Sequence, residues 1–353
     1  MPRPALADSL ANGALAVPEA KRSGRDSKTA GFLHDHPNFL DVIRQVGQAR
    51  GISPYLVEKD YWLMHSLWCL QRQGWSFQLK GGTSLSKGFH LIQRFSEDID
   101  LRIDPPADHK VKTGKNQDKP AQQASRQIYF DWLAQEMAAR QMPGVVSIAR
   151  DTDYDDAKFR SAGIRLAYQI KTEHIQGIKE GILLEVGFDD TAPNTPCDVS
   201  SWALDAALTS TVAVIDNRAM GVLCYSPAYT FVEKLQTIST KFRNQQNLAQ
   251  HRGNLASSFP KNFLRHYYDL YGLLGSPEVL AFIGTPAYHA RKQVRFPTAD
   301  NHHIASNEAF LLSQPAVRAL YTAKYKETGG LYYAGQVPFE DLLARISLHI
   351  GRL

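Results

Sequence analysis

The chain has 353 residues, 43% hydrophobic and 21% charged, enough for a sizeable core or two packed units of ordinary domain size. Its 40 basic and 35 acidic residues leave a net charge of +5, a mild lean towards polyanionic partners in which distribution matters more than total. Cys69, Cys197 and Cys224 are scattered, which argues against a zinc site and suits a reducing cytoplasm; no apolar run reaches the ~18 residues of a membrane helix, and Asp8 and Asn12 interrupt any signal-peptide core after Arg3.

In chain order, residues 1–30 are rich in Ala, Ser, Pro and charge without periodicity and are expected to form a flexible tail. Phe39, Val42, Ile43 and Val46 fall at helical spacing and predict a helix ending near Gly51. Ser53-Pro54 supplies N-cap and first-turn proline for a second helix, with Leu56, Tyr61, Leu63, Leu67 and Leu70 inward. On pattern alone, Glu58, Lys59 and Asp60 are a solvated patch on it.

The stretch from Leu79 to Asp104, LKGGTSLSKGFHLIQRFSEDIDLRID, organises the chain. A strand over Ser76–Lys80 puts Phe77 and Leu79 on one face. Gly81-Gly82 breaks it and lets backbone approach a ligand closely. Thr83 or Ser84 caps a short helix carrying Leu85, Phe89 and Ile92 on one side. The period then returns to two, so Ile99, Leu101 and Ile103 face a core while Asp98, Asp100, Arg102 and Asp104 share the other face. Two carboxylates that close repel unless a cation sits between them or one is protonated. A glycine turn beside paired aspartates points to a metal-bound nucleoside triphosphate, with Gly81, Gly82 and Thr83 at the phosphates and Asp98 and Asp100 at Mg²⁺. The alternative is an ordinary turn and a solvated strand face. Ser84, Ser86 and Lys87 are further phosphate candidates, though the helix carries the last two away from the turn. The segment is no Walker A loop, since Lys87 precedes Gly88 and no Gly-Lys-Ser/Thr follows.

Pro105–Pro120 forms a loop holding Lys110, Lys112, Lys115 and Lys119, either solvated or a grip on nucleic acid. A helix over Ala121–Arg140 turns Ile128, Trp132, Leu133 and Met137 inward. Strands follow over Ala162–Ile170 and Gly181–Asp189; Glu185 faces away from the apolar set of the second, with Leu183 and Gly187 beside it. Ser226-Pro227 opens a helix with Phe231, Leu235 and Ile238 on one stripe and Lys234 bordering it, a position where a lysine ordinarily snorkels. A basic run of Lys241, Arg243, His251, Arg252, Lys261, Arg265 and His266 precedes RHYYDLYGLL, a helix burying Tyr267, Leu270 and Leu274. On it Asp269 stands four residues after Arg265, the spacing of a surface ion pair. The remainder is helical from Ser276-Pro277, over Asn307–Lys326 and over Pro338–Ile350. His302-His303, with no further ligand at zinc spacing, belongs to a polar loop.

KGGTSLSKGFHLIQRFSEDIDL resembles the first motif of the nucleotidyltransferase superfamily and, in detail, the AbiEii/AbiGii toxin family, as do EKDYWL (Glu58–Leu63) and RHYYDLYGLL. The resemblance spans about Val57–Leu274. It implies an α/β (α+β) fold: a small mixed sheet flanked by helices within 31–222, followed by a helical half, 223–353, that completes the site. It implies Glu185 as a third metal carboxylate, Lys234 at the triphosphate and Asp269 as the last motif's aspartate, and it sets against the solvated-patch reading of Glu58, Lys59 and Asp60 the alternative that they brace the site. Related toxins carry Lys-Asp where this chain has Arg265-His266, which leaves the roles of these two open. The implied reaction is Mg²⁺- or Mn²⁺-dependent transfer of a nucleotidyl group from an NTP, with RNA or tRNA as the acceptor in some relatives, by the toxin of a toxin–antitoxin (phage-defence) pair. Transfer of a nucleotide or a phosphate to a protein hydroxyl, or a silent nucleotide- or RNA-binding module, are the alternatives; retention of all three carboxylates disfavours the silent one.

Overall fold

A computed structural model describes residues 30–175, 177–252, 259 and 262–353, and Gly31–Leu353 form one compact unit. The expected tail, apart from Ala30, and Lys261 lie outside the described residues, as do the side chains of His251 and Arg252.

The first α-helices among the described residues are α1 (Phe39–Arg50), closed by Gly51 in the left-handed region at φ 65°, and α2 (Pro54–Arg72), where the Ser53 hydroxyl accepts the Tyr55 amide and Pro54 takes the first turn. β1 (Gln78–Lys80) leads through the short turns α3 (Gly81–Thr83) and Ser84–Gly88 into β2 (Asp98–Arg102). After α4 (Pro120–Ala139) come β3 (Val145–Asp151), β4 (Ser161–Tyr168), β5 (Ile182–Gly187), β6 (Asn194–Val199), α5 (Trp202–Leu208) and β7 (Ala219–Tyr225). Among the described residues the C-terminal part is helical: α6 (Pro227–Arg252), α7 (Arg265–Leu273), α8 (Pro277–Phe282), α9 (Pro286–Arg295), α10 (Glu308–Leu311), α11 (Pro315–Lys326) and α12 (Phe339–His349).

The sheet is mixed, in the order β3-β4-β5-β2-β1-β7-β6, with β2·β5 and β1·β7 parallel and the other pairs antiparallel. The expected α/β architecture is therefore present. The 222/223 line falls inside β7, because that strand pairs with β1 and is integral to the sheet. The expected helix after the glycine turn is cut to two short turns, although Leu85 and Ile92 are buried as its apolar stripe required. Leu133 and Met137 are buried as expected, but Trp132 is only half-buried and Ile128 is 68% exposed, because α4 turns Arg126, Tyr129 and Phe130 inward in their place. Arg126 is fully buried and donates to the Lys112, Gln117 and Lys158 carbonyls, a hydrogen-bonding demand that apolar periodicity cannot register. The single helix expected over Asn307–Lys326 is interrupted at Leu312, whose φ is 44°.

Two apolar clusters result. Leu79, Ile99 and Leu101 belong to one, built from α1, α2, α4 and the sheet. Leu85 and Ile92, from the same stretch of chain, belong to the other, built from the C-terminal helices. The segment Leu79–Asp104 thus contributes to both clusters.

Candidate active site

The alternation on β2 puts Asp98 and Asp100 on one half-buried face, with Ile99 and Leu101 fully buried behind them. The strand register then decides what joins them. On parallel β5, Glu185 stands directly opposite Asp100, and on antiparallel β1, Lys80 stands opposite Asp100 on its other side. Gly163 faces Glu185 from β4. The register thus brings Asp98, Asp100 and Glu185 together on neighbouring strands.

Burial raises the Asp100 carboxyl above the ordinary carboxylate range, with Asp98 adding repulsion and the Lys80 and Lys234 ammoniums opposing it. Glu185 is pushed up to about 7 by burial, then by Asp100 and Asp98. A row of acids in this condition favours an added cation.

These residues line a cavity of about 460 Å³. Gly81 and Gly82 line it together with Lys80, Arg94, Lys179, Lys234, Lys241, Arg265 and Arg295. Gly81 has φ +72°, and a Cβ there would come within 1.8 Å of Asp100 Oδ2. The turn therefore depends on glycine both for conformation and for clearance. Gly81→Ala is expected to cost roughly 1–3 kcal/mol of stability from backbone strain and to cut transfer more severely, by displacing the Asp100 carboxylate. A melt and a transfer assay on the same preparation check this; a variant with wild-type turnover would refute the packing argument.

Thr83 and Ser84, expected at the phosphates, direct their hydroxyls elsewhere. Thr83 Oγ1 donates to the Asp98 carbonyl at 2.8 Å and Ser84 Oγ to the Gly81 carbonyl at 3.0 Å, so both tie the turn to itself and to β2. Lys87 does not line the cavity either. Its ammonium pairs with buried Asp60 and lies 4.1 Å over the Trp202 ring. Its place in the phosphate set is corrected accordingly.

Glu58, Lys59 and Asp60 are not a solvated patch, being 0%, 1% and 0% exposed. Tertiary contacts cover that face of α2: Glu58 accepts the Lys171 and Thr172 amides, Lys59 donates to the Gly181 carbonyl, and Asp60 accepts the Trp202 amide.

Lys234 faces the cavity from α6, and its Nζ lies 2.9 Å from Asp269 Oδ2. Asp269 is fully buried and is no surface partner for Arg265, since the Arg94 guanidinium donates to its two oxygens at 2.6 and 2.8 Å. Burial alone would raise this carboxyl; Arg94 and Lys234 overcome burial and hold it far below the usual carboxylate range. Asp269 thus stands behind Lys234 and Arg94 rather than among the cavity's lining residues. Arg265 turns instead towards Glu97, 3.8 Å away. His266 Nδ1 lies 3.4 Å from Lys234 Nζ, and burial, then Lys234 and Lys241, hold the imidazole well below its ordinary value.

Lys179, on the connection into β5, went unnoticed in the sequence because no local pattern marks it. Lys241, from the basic run, and Arg295 line the same cavity. A second polar stripe on α6, Thr230, Glu233, Lys234, Thr237 and Lys241 at helical spacing, was the available signal.

A glycine turn packed on paired aspartates, a third carboxylate from a parallel neighbour and a surround of cations define a site of the nucleotidyltransferase class. Residues 66–345 match the family model described as "Nucleotidyl transferase AbiEii toxin, Type IV TA system". The match covers most of the chain, which therefore belongs to the AbiEii nucleotidyl transferase toxin family. Comparison with curated proteins and with solved structures gave no match. Membership in a type IV toxin–antitoxin family implies an NTP substrate and an antitoxin partner. No helix among the described residues is long and apolar enough to cross a membrane.

Proposed function

We propose that the chain transfers a nucleotidyl group from an NTP to an RNA hydroxyl, with tRNA as one such acceptor, and that Asp98, Asp100 and Glu185 hold Mg²⁺ or Mn²⁺ for this reaction in the cytoplasm, as the toxin of a phage-defence pair. The observation that supports it best is the register that sets Glu185 opposite Asp100, beside Asp98, inside a cavity that Gly81 and Gly82 also line.

The donors fit a hard cation, being all carboxylate oxygen, and the raised Asp100 and Glu185 carboxyls would be relieved by one. Among the described residues, no group of three or more His, Cys, Asp or Glu is already arranged to hold a metal ion. Mg²⁺ does not require one, since it binds through one or two carboxylates with phosphate oxygens and water completing its shell. When bound, such an ion neutralises phosphate charge and activates the acceptor oxygen. The protein's own part is then positional. Gly81 and Gly82 give the phosphates close access to backbone, Lys234 supplies a point charge held by Asp269, and Lys241, Arg265 and Arg295 neutralise the rest of the triphosphate.

The structure leaves Lys110, Lys112, Lys115 and Lys119 exposed, on a loop whose carbonyls are held by Arg126 and Arg160. That arrangement favours the RNA acceptor, because a backbone held in place presents several ammoniums to a phosphate chain. The test is incubation of the purified chain with each labelled NTP, Mg²⁺ and either total RNA or protein extract. Label at an RNA 3′ end is expected. Binding should weaken with salt at a log–log slope of about −0.7 per phosphate neutralised, and Lys110, Lys112 and Lys115 to alanine should flatten it. Labelled polypeptide in the absence of RNA would overturn the RNA reading in favour of a protein hydroxyl.

A further inference from the structure

Burying a charge is costly unless its hydrogen bonds are met, so the fully buried Glu58 and Lys59 call for a structural reason. One segment meets both. Glu58 accepts the Lys171 and Thr172 amides at 2.9 Å each and the Thr172 hydroxyl at 2.6 Å. Lys59 Nζ donates to the Lys179 carbonyl and, at 2.7 Å, to the Gly181 carbonyl, while the Tyr55 hydroxyl donates to the Lys179 carbonyl at 3.3 Å. These bonds fix the connection between β4 and β5 at both ends. The second clamp sets the backbone of Lys179, whose ammonium lies 3.5 Å from Asp98 Oδ1 and 3.9 Å above the Tyr154 ring.

Lys179 also stands on a seam. The carboxylate cavity adjoins a larger cleft of about 1180 Å³, and Tyr154, Lys179 and Asn262 line both. Of the cations on the smaller cavity, Lys179 alone among the described residues also lines the larger one. The larger cleft has a different chemistry: Phe259, Tyr332 and Tyr333 contribute aromatic surface, and Lys324 is offset by Glu327 at 2.8 Å. In nucleotidyl transfer the donor's α-phosphorus must meet the acceptor oxygen, so the reacting atoms belong where the donor cavity opens towards the acceptor.

We infer that Lys179 is a catalytic residue whose ammonium binds a non-bridging oxygen of the donor's α-phosphate, with the larger cleft as the acceptor's side and with Glu58 and Lys59 as the residues that position it. The inference rests on the nucleotidyl-transfer reading given above. In the step, the acceptor hydroxyl oxygen bonds to the α-phosphorus and its proton passes to solvent water. The bond from that phosphorus to the bridging oxygen breaks, and pyrophosphate leaves with the electron pair. Positioning and electrostatic stabilisation carry such a transfer, and a preplaced cation assists most where charge on the phosphoryl oxygens is redistributed in the transition state.

The experiment uses the full chain and its Lys179→Ala, Lys179→Arg and Glu58→Gln variants. Lys179→Ala should lower kcat by ~10²–10³-fold while NTP affinity, measured by equilibrium dialysis without acceptor, and the melting midpoint stay at wild-type values. Lys179→Arg should recover part of the rate. One diastereomer of an α-thio NTP should react more slowly with wild type, and that penalty should vanish in Lys179→Ala and shrink in Glu58→Gln. A Lys179→Ala enzyme with wild-type turnover and an unchanged thio effect overturns the assignment. So does loss of NTP affinity with kcat intact, which would make the lysine a ground-state ligand. A wild-type chain that consumes none of the four NTPs defeats the nucleotidyl-transfer reading itself; an active wild type with an indifferent Lys179→Ala defeats the lysine alone.

Discussion

Replacing Asp98 or Asp100 with alanine is expected to abolish nucleotidyl transfer and leave the fold standing. Both side chains sit on the polar face of β2, where they add nothing to the apolar cluster held by Ile99 and Leu101. Each is close to other acids, and burial together with Asp98 already raises the Asp100 carboxyl. Removing one acid relieves repulsion, so stability should hold or rise. Activity should fall because a hard cation would lose a ligand at the point where phosphate charge must be neutralised. That effect is several kcal/mol, on the order of 10³-fold in rate. Labelled-nucleotide transfer and a thermal melt on each variant are the measurements, with Asp98→Asn and Asp100→Asn as isosteric controls. Full activity in both alanine variants would end the metal-carboxylate reading.

Asp269→Ala should behave in the opposite way and destabilise the whole molecule. Its carboxylate is fully buried and is the shared partner of Arg94, at 2.6 and 2.8 Å, and Lys234, at 2.9 Å. Taking one partner from a buried ion pair leaves a charge stranded, which costs about 3–5 kcal/mol. Urea denaturation should show that loss, and NTP binding should weaken because Lys234 is no longer held. The folded carboxyl is depressed, so its contribution is complete above its ordinary value of 3.8 and is lost only as pH falls through the depressed folded value. Wild-type stability in Asp269→Ala would show that the buried pair is not structural. The two aspartate predictions thus separate acids that serve chemistry from an acid that serves position.

The difference between these acids shows how far the sequence reaches. Asp98 and Asp100 were legible because a strand's period of two is a local property, and the glycine turn beside them is local as well. Glu185 was legible in part: alternation gave its face, whereas the partner strand came from resemblance. Asp269 was ambiguous, since a four-residue spacing to Arg265 satisfies a surface pair equally well. Its true partner, Arg94, lies 175 residues away in sequence.

By itself the sequence determined the mixed α/β class, the strand–turn–strand core of the site and most of the buried apolar stripes, since each follows from short-range periodicity, turn chemistry and capping. Only the tertiary structure decided the fate of the charged groups. Glu58, Lys59 and Asp60 lie on a helix that is covered on every side, so a charged triplet with the look of solvated surface became an internal clamp. Lys87 left the phosphate set for Asp60, and Lys179 entered the cavity from a connection without any motif. The reason is physical: apolar burial repeats along the chain with the period of its helix or strand, whereas a buried charge is settled by whichever distant donor or acceptor the fold brings within about 3 Å.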